Sequence, residues 1–325
     1  MKLGTYPTPV ERLDDALGPG RPLWVKRDDL TSSRYGGNKV RKLERVLDVA
    51  RARGARRIVT VGGAGSHHVL ATAIYAADLG IAVDAVLVPQ PRTDHVAENL
   101  RAIAHRAHVW PAASYVQAGA CVVDRIACGA FYVPAGGSTL EATATYADAA
   151  RELSLQVTRG ELPPPRTVVV ALGSGGTAAG LAVGCASAFP DARVVGVTVS
   201  EPGLWVGLQA RVLARACARS QSPRVDARAI HLDVDDRFLG AGFGHPTTAG
   251  ASASRVAERF GLILDASYTA KTFAAALALP GSADPILYWH TLSSASMSPW
   301  LAEARLEHEL PDDVRALLLP LTPRA

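Results

Sequence analysis

Tyr35-Gly36-Gly37-Asn38-Lys39-Val40-Arg41-Lys42-Leu43-Glu44 is the stretch on which the reading of this chain turns. It follows a polar run that holds Asp28, Asp29, Thr31, Ser32 and Ser33. Two glycines let the backbone turn tightly, and Asn38 can serve as a helix N-cap. Val40, Leu43, Leu47 and Ala50 then recur at helical spacing. Lys39 therefore falls at or near a helix start, where the macrodipole disfavours a cation. An amine that must be neutral, or condensed with an aldehyde, suits that place. The chain has five lysines (Lys2, Lys26, Lys39, Lys42 and Lys271) against 29 arginines, so lysine is used sparingly. Spacing alone also allows an ordinary solvated first-turn lysine.

Around this stretch the pattern is that of alternating strands and helices. Leu23–Lys26 reads as a strand before the turn, and Arg57–Val61 as the strand after its helix. Further strands are expected at 81–88, 108–110 and 131–133, with helices from Ser66 to about 79, from 92 to 107, and from about 139 to 160. Pro163-Pro164-Pro165 breaks the chain. The pattern restarts with Thr167-Val168-Val169-Val170-Ala171-Leu172, a nearly continuous apolar run of the kind covered on both faces. Strands at 193–199 and 286–289 follow. The alternation predicts an α/β fold with parallel sheets flanked by helices.

Composition narrows the function classes. With 325 residues, 48% of them hydrophobic, the chain is long enough for two globular domains. No apolar run reaches the ~18 residues of a membrane span, and Met1–Val10 has no signal-peptide core, so a cytoplasmic location is the default expectation. Cys121, Cys128, Cys185 and Cys217 are widely spaced and are expected to be buried free thiols. The net charge of +4 is modest and the arginines are scattered, which gives no basic stripe for nucleic acid. No metal-ligand motif stands out.

Gly173-Ser174-Gly175-Gly176-Thr177 directly follows the 167–172 strand and precedes a helix-forming run. Glycine amides and a helix N-terminus favour an anion, and the hydroxyls of Ser174 and Thr177 add donors. A phosphate is the sharper reading, and a ligand-free tight turn the plainer one. A P-loop would need a lysine that is absent. A dinucleotide fingerprint tolerates Ala178 at its third glycine position but wants an acidic residue about 20 positions on, near Ser200-Glu201. A nicotinamide cofactor is therefore a weaker rival.

Lys26-Arg27-Asp28-Asp29-Leu30 with Gly36-Gly37-Asn38-Lys39-Val40-Arg41-Lys42-Leu43-Glu44 closely resembles the 1-aminocyclopropane-1-carboxylate (ACC) deaminase/D-cysteine desulfhydrase family. These are pyridoxal-phosphate (PLP) enzymes with the two-domain tryptophan-synthase-β-like fold (fold type II). The resemblance implies a large PLP-binding domain of residues 1–47 plus 161–325 and a small domain of 48–160. It implies that Lys39 carries PLP as a Schiff base and that Gly173–Thr177 holds the phosphate. Asn38 is a further expected cofactor contact. Gly65-Ser66-His67-His68 is similar to a family Gln-Ser-Asn-His motif, in which the serine and nearby amides bind the substrate carboxylate. His67 stands where the family asparagine bonds the PLP phenolic oxygen.

Leu264-Asp265-Ala266-Ser267-Tyr268-Thr269-Ala270-Lys271 resembles the family segment that supplies an active-site tyrosine, here Tyr268. ACC deaminases have glutamate after that tyrosine and desulfhydrases threonine, so Thr269 favours the desulfhydrase side. Ile286-Leu287-Tyr288-Trp289-His290-Thr291 is similar to the strand whose threonine, here Thr291, sits near the pyridine nitrogen. Phe243, inside Gly242-Phe243-Gly244, replaces a family tyrosine, and Leu292-Ser293 replaces a glycine pair.

The resemblance implies α,β-elimination on a small amino acid, giving a 2-oxo acid, ammonia and, from cysteine, sulfide. Lys39 is the implied base, with Ser66 and Tyr268 as catalytic partners and Lys42 and Lys271 as structural or solvated residues. ACC ring opening is the enzyme alternative. A racemase or β-replacement activity, a PLP-binding protein without turnover and a nicotinamide oxidoreductase are further alternatives. The family tends to form homodimers.

Overall fold

The computed structural model describes residues 1–14, 16, 18, 22–200, 203–280 and 284–320. The chain opens with β1 (Val10–Arg12), β2 (Leu23–Arg27), α1 (Asn38–Ala52), β3 (Arg57–Gly63), α2 (His67–Ala77), β4 (Ala82–Val88), β5 (Gln90–Pro91) and α3 (Asp94–Arg106). It continues with β6 (His108–Pro111), α4 (Tyr115–Ala127), β7 (Phe131–Val133), α5 (Leu140–Thr158), β8 (Thr167–Leu172), α6 (Gly176–Ala188), β9 (Arg193–Thr198) and α7 (Gly203–Ser220). It ends with β10 (Leu232–Asp235), α8 (Thr248–Glu258), α9 (Thr269–Leu277), β11 (Ile286–His290), α10 (Ser298–Leu301), α11 (Asp312–Arg315) and β12 (Leu318–Leu319). Among the described residues, no helix is long and apolar enough to cross a membrane.

Two compact units form. The larger comprises Lys2–Lys42 and Leu140–Ala295. Its sheet has the order β1-β2-β11-β8-β9-β10, parallel except for the β1–β2 edge pair. β8 shows why its apolar run is continuous. Val168, Val170 and Leu172 pack with Leu181 of α6 and Ala210 of α7. Val169 points the other way, among Ala253 of α8 and Phe273 of α9. Side chains alternate along a strand, so both faces need apolar residues when helices cover both.

The smaller unit comprises Met1, Leu43–Thr139 and Ser296–Ala325. Its main sheet is wholly parallel, in the order β6-β4-β3-β7. Residues from 296 onward group here, although the expected large domain ran to 325. The reason is long-range pairing: β12 adds in parallel to β5, and Arg92 makes two hydrogen bonds to Glu307, at 3.1 and 3.0 Å.

Other expectations shift in detail. α4 lies where no helix was anticipated. Asn38 is the first residue of α1 and not the residue before it. Cys185 and Cys217 are buried, but Cys121 is half-buried and Cys128 exposed, because α4 buries only Ala118 and Val122. Of the pair considered for a dinucleotide site, Glu201 lies outside the described residues, and β9 ends at Thr198.

Candidate active site

The turn before α1 rests on a buried ionic cluster in the larger unit. The Asp28 carboxylate accepts hydrogen bonds from Thr8 Oγ1 (2.9 Å), Arg41 Nη2 (2.9 Å), Tyr146 OH (2.9 Å) and Trp289 Nε1 (2.8 Å). Burial alone would raise its pKa, but the Arg41 charge and hydrogen bonds hold it below the usual carboxylate range. Arg41 also reaches Glu152, which takes a 2.7 Å hydrogen bond from Lys26 Nζ. The backbone carbonyl of Asp28 accepts from Gly37 N at 3.0 Å. The Lys26–Asp29 motif and the glycine turn are therefore one construction.

The two glycines are required by close approach. A Cβ on Gly36 would stand 2.1 Å from the Asp29 carbonyl oxygen, and Gly37 has φ +86°. Asn38 N donates to the Thr291 carbonyl at 3.1 Å, and Gly36 N to Ser293 Oγ at 2.8 Å. Ser293, a departure from the family glycine pair, thus supplies an acceptor that fixes the turn. Lys39 follows as the second residue of α1 and is only partly accessible. Burial lowers its amine to a pKa of about 8, against a smaller opposing pull from the Asp265 carboxylate. Lys42 is fully buried, and burial together with the nearby Lys39 drives its pKa far down. It is not a solvated lysine.

The Gly173–Thr177 loop leads from β8 into α6. Gly175 is the N-cap of α6, with φ +86°, and no side chain caps the helix. Asn38 Nδ2 donates to Thr177 Oγ1 at 3.1 Å, which ties the start of α1 to the start of α6. A Cβ on Gly173 would lie 3.5 Å from Tyr268 Cε1, so the tyrosine ring borders the loop. Thr198, the strand partner of Leu172, has a buried hydroxyl without a hydrogen-bond partner among the described residues.

Tyr268 is set by Asp265, a residue whose role the sequence reading did not single out. The Asp265 carboxylate accepts from Ser267 N (3.0 Å), Tyr268 N (2.8 Å), Thr269 N (3.0 Å) and Thr269 Oγ1 (2.6 Å), which caps α9. The Thr269 hydroxyl also accepts from Asp265 N at 2.7 Å. Its hydrogen bonds therefore go to Asp265. Phe243 meets Tyr268 edge to face, with centroids 5.7 Å apart. Lys271 is structural and buried: Nζ donates to the carbonyls of Leu239 and Gly242 at 2.8 Å each, which holds the Phe243 loop.

In the smaller unit Ser66 is the N-cap of α2, its Oγ accepting from Val69 N at 3.3 Å. The capping role leaves the hydroxyl proton to donate. His67 Nε2 lies 3.0 Å from His95 Nε2. Gly65 is held from both sides: its N–H donates to Gln90 Oε1 and its carbonyl accepts from Asn99 Nδ2, both at 3.0 Å. Gln90, His95 and Asn99 are spread over β5 and α3, and no local motif marks them.

Residues 1–291 match the family described as pyridoxal-phosphate dependent enzyme. The chain belongs to the pyridoxal-phosphate dependent enzyme family. It is 35% identical over 293 residues to the D-cysteine desulfhydrase of Salmonella choleraesuis (strain SC-B67), covering 84% of this chain and 86% of that protein. Its structure is similar to that of an ACC deaminase homologue, with a TM-score of 0.78 and 28% identity over 92% of this chain and 94% of the other. It also shares its fold with O-ureido-L-serine synthase, with a TM-score of 0.63 and 18% identity over 96% and 95% of the two chains.

The donor set fits the cofactor of a PLP-dependent enzyme. An aldehyde condenses with an unprotonated amine, and Lys39 is the lysine at the turn whose pKa falls to about 8. A phosphate needs converging N–H and O–H donors, which a helix start without a side-chain cap and the hydroxyls at Ser174 and Thr177 provide.

Proposed function

We propose that this PLP-dependent enzyme catalyses α,β-elimination on a small amino acid with a leaving group on its β-carbon, D-cysteine first among them. Sulfide leaves from the β-carbon, and one water is consumed as the released enamine hydrolyses to a 2-oxo acid and ammonia. The observation that carries the chemistry is the weakly basic, buried amine of Lys39, joined through Asn38 and Thr177 to the glycine loop. The likeness to D-cysteine desulfhydrases and Thr269 after Tyr268 support the substrate class.

Lys39 would hold the cofactor through its amine. Gly173, Ser174, Gly175, Gly176 and Thr177 would hold its phosphate, with Asn38, His67, Thr269 and Thr291 placed around the ring by resemblance. Three of these residues can be given a more specific part. Asn38 acts through Thr177 Oγ1, Thr269 through the Asp265 cap, and Thr291 through the turn that its carbonyl fixes. When bound, PLP supplies the electron sink that makes a substrate α-proton removable.

Ser66 Oγ–H and the first amides of α2 bind the substrate carboxylate, since a helix N-terminus favours an anion. The free Lys39 amine takes the proton from the α-carbon, and a pKa of about 8 suits a base near neutral pH. Tyr268 OH hands a proton to the departing sulfur. Its ring is steadied by Phe243 and its backbone by Asp265.

Visible absorbance of the purified, PLP-loaded protein tests this as D-cysteine, L-cysteine and ACC are added in turn, with 2-oxo acid and sulfide assayed. A spectral change with D-cysteine, accompanied by both products, is expected. No cofactor absorbance after PLP is supplied would sink the assignment of Lys39. The ACC deaminase homologue at 28% identity favours ACC ring opening as the second reading, which a spectral change and keto acid from ACC alone would select.

We further propose a homodimer in a reducing, cytoplasmic setting. Support for the dimer is the apolar face of α7, where Leu204, Trp205, Leu208 and Val212 are all exposed. Support for the setting is that all four cysteines are free thiols.

A further inference from the structure

We infer that Gln90 is a positioning residue for the Ser66 turn, and that β12, far along the chain, sets Gln90. The inference rests on the reading above that the Ser66 turn binds the substrate carboxylate.

The turn between β3 and α2 is fixed one peptide at a time. Ala64 N donates to the Val88 carbonyl at 3.0 Å, and Ser66 N to the Gly63 carbonyl at 2.9 Å. Between them, Gly65 N donates to Gln90 Oε1 and the Gly65 carbonyl accepts from Asn99 Nδ2, both at 3.0 Å. A Cβ on Gly65 would stand 2.8 Å from Val96 Cα, so α3 closes over the same peptide. A Cβ on Gly62 would stand 2.5 Å from Ser66 Oγ, so the serine side chain lies against the end of β3. The Gly65 amide thus goes to a side chain where its neighbours go to backbone carbonyls. The shape of the turn then depends on where that side chain stands. Gln90 is buried, and a donor for a partner fixes its amide with the oxygen towards Gly65.

What places Gln90 is β12. Among the described residues β5 has two positions, Gln90 and Pro91, and pairs with β12 in a two-stranded sheet. Leu318 stands opposite Gln90 in the parallel register. Gln90 N donates to the Leu317 carbonyl at 2.9 Å, and Arg92 N to the Leu319 carbonyl at 2.8 Å. The segment before β12 is braced as well, since Arg101 Nε donates to the Arg305 carbonyl at 2.7 Å. A strand this short has no stability of its own. If β12 shifts, the Gln90 backbone shifts with it, and Oε1 moves off the Gly65 amide. Residues 317–319 lie beyond the part of the chain that matches the family.

The consequence concerns affinity for a carboxylate. N–H and O–H groups bind an anion well when binding does not first have to order them. Gln90 and β12 supply that order for the Ser66 turn. Their loss weakens the grip on a ligand's carboxylate and leaves binding through an amine alone as it was.

Glycine and ethylamine test this, each titrated into the holoenzyme and read from the absorbance of the cofactor. Both carry an amine, and glycine alone carries a carboxylate. Neither has a leaving group, so elimination plays no part. Gln90→Met keeps the length of the side chain and loses the acceptor. It should raise the Kd for glycine about fivefold, the scale of one neutral hydrogen bond, and leave that for ethylamine within about twofold. Leu319→Pro removes the N–H that the parallel ladder sets opposite the Gln90 carbonyl, at an exposed residue. It should weaken glycine selectively too. Both variants should speed hydrogen exchange at the Gly65 amide. Either variant overturns the inference if its Kd for glycine stays within about twofold of wild type, or if glycine and ethylamine weaken equally. Unchanged exchange at Gly65 does the same. Ser66→Ala separates the two readings. A selective loss of glycine there, without one in Gln90→Met, sinks this inference alone. No loss there sinks the carboxylate reading of the Ser66 turn, and this inference falls with it.

Discussion

A Cβ on Gly37 would stand 2.6 Å from the carbonyl oxygen of Thr291. The same carbonyl accepts the Asn38 amide at 3.1 Å, so the turn cannot back away without losing the bond that starts α1 beside β11. Gly37 also has φ +86°, a region that costs an L-residue about 1–2 kcal/mol. Gly37→Ala should therefore lower stability by more than that cost alone. The urea midpoint should fall with an unchanged slope, and PLP binding should weaken in parallel. A midpoint equal to wild type would show that the turn is not clamped.

Lys39 makes stability depend on pH in the protein freed of cofactor. Its folded pKa of about 8 lies below the ordinary 10.5. The unfolded chain then binds more protons between these values, so stability rises with pH across the window. The burial cost is full below the folded pKa and gone above the unfolded one. Lys39→Met should gain about 2–3 kcal/mol near neutral pH, and the gain should fade towards about pH 11. Chemical denaturation at several pH values checks this, and a gain independent of pH would exclude a buried, neutralised amine.

The buried cluster predicts a slope of the same sign, but in the acid range. Asp28 is held below its usual range by Arg41, against the effect of burial. Its contribution is present above the unfolded carboxylate pKa and lost as pH falls through the lower folded one. Asp28→Asn removes one partner and leaves Arg41 buried with less countercharge. A loss of about 3–5 kcal/mol at neutral pH is expected, with a shallower acid limb in the stability curve. Since the Asp28 carbonyl also holds Gly37 N, the asparagine variant separates the carboxylate's effect from the backbone's.

What the sequence disclosed follows from the range of the interactions involved. β8 and α6 were legible because an apolar run and a glycine turn are local, and both were read within a residue or two. The pairing of β12 with β5 involves two residues on each strand, more than two hundred positions apart, and leaves no periodic signal. α4 was missed because Tyr115, Val116, Val123 and Ile126 are apolar yet exposed, so the hydrophobic pattern does not mark its buried face. In the candidate site, Lys39 and the glycine loop stand out in sequence because their patterns are local. Asp265 does not, because a carboxylate that caps a helix looks in sequence like any other aspartate. His95 and Asn99 lie 28 and 34 positions beyond the residues they bond.

Thr269 carries the last prediction. The resemblance contrasts threonine with glutamate at this position as a mark of desulfhydrase against ACC deaminase. Here the hydroxyl gives its proton to Asp265 Oδ1 at 2.6 Å and accepts from Asp265 N at 2.7 Å. Thr269→Val keeps the shape but leaves the Asp265 amide without that acceptor, a cost of about 1–3 kcal/mol, and loosens the cap that sets Tyr268. Thr269→Ser should stay within about twofold of wild type, since it keeps the hydroxyl. Thr269→Glu would place a second carboxylate against Asp265, and like charges that close raise one pKa or push the groups apart. It should therefore lower D-cysteine turnover without conferring ACC ring opening. Steady-state assays with both substrates decide the matter. A Thr269→Glu enzyme that gained ACC turnover would mean that this threonine selects substrate directly and not through the Asp265 cap.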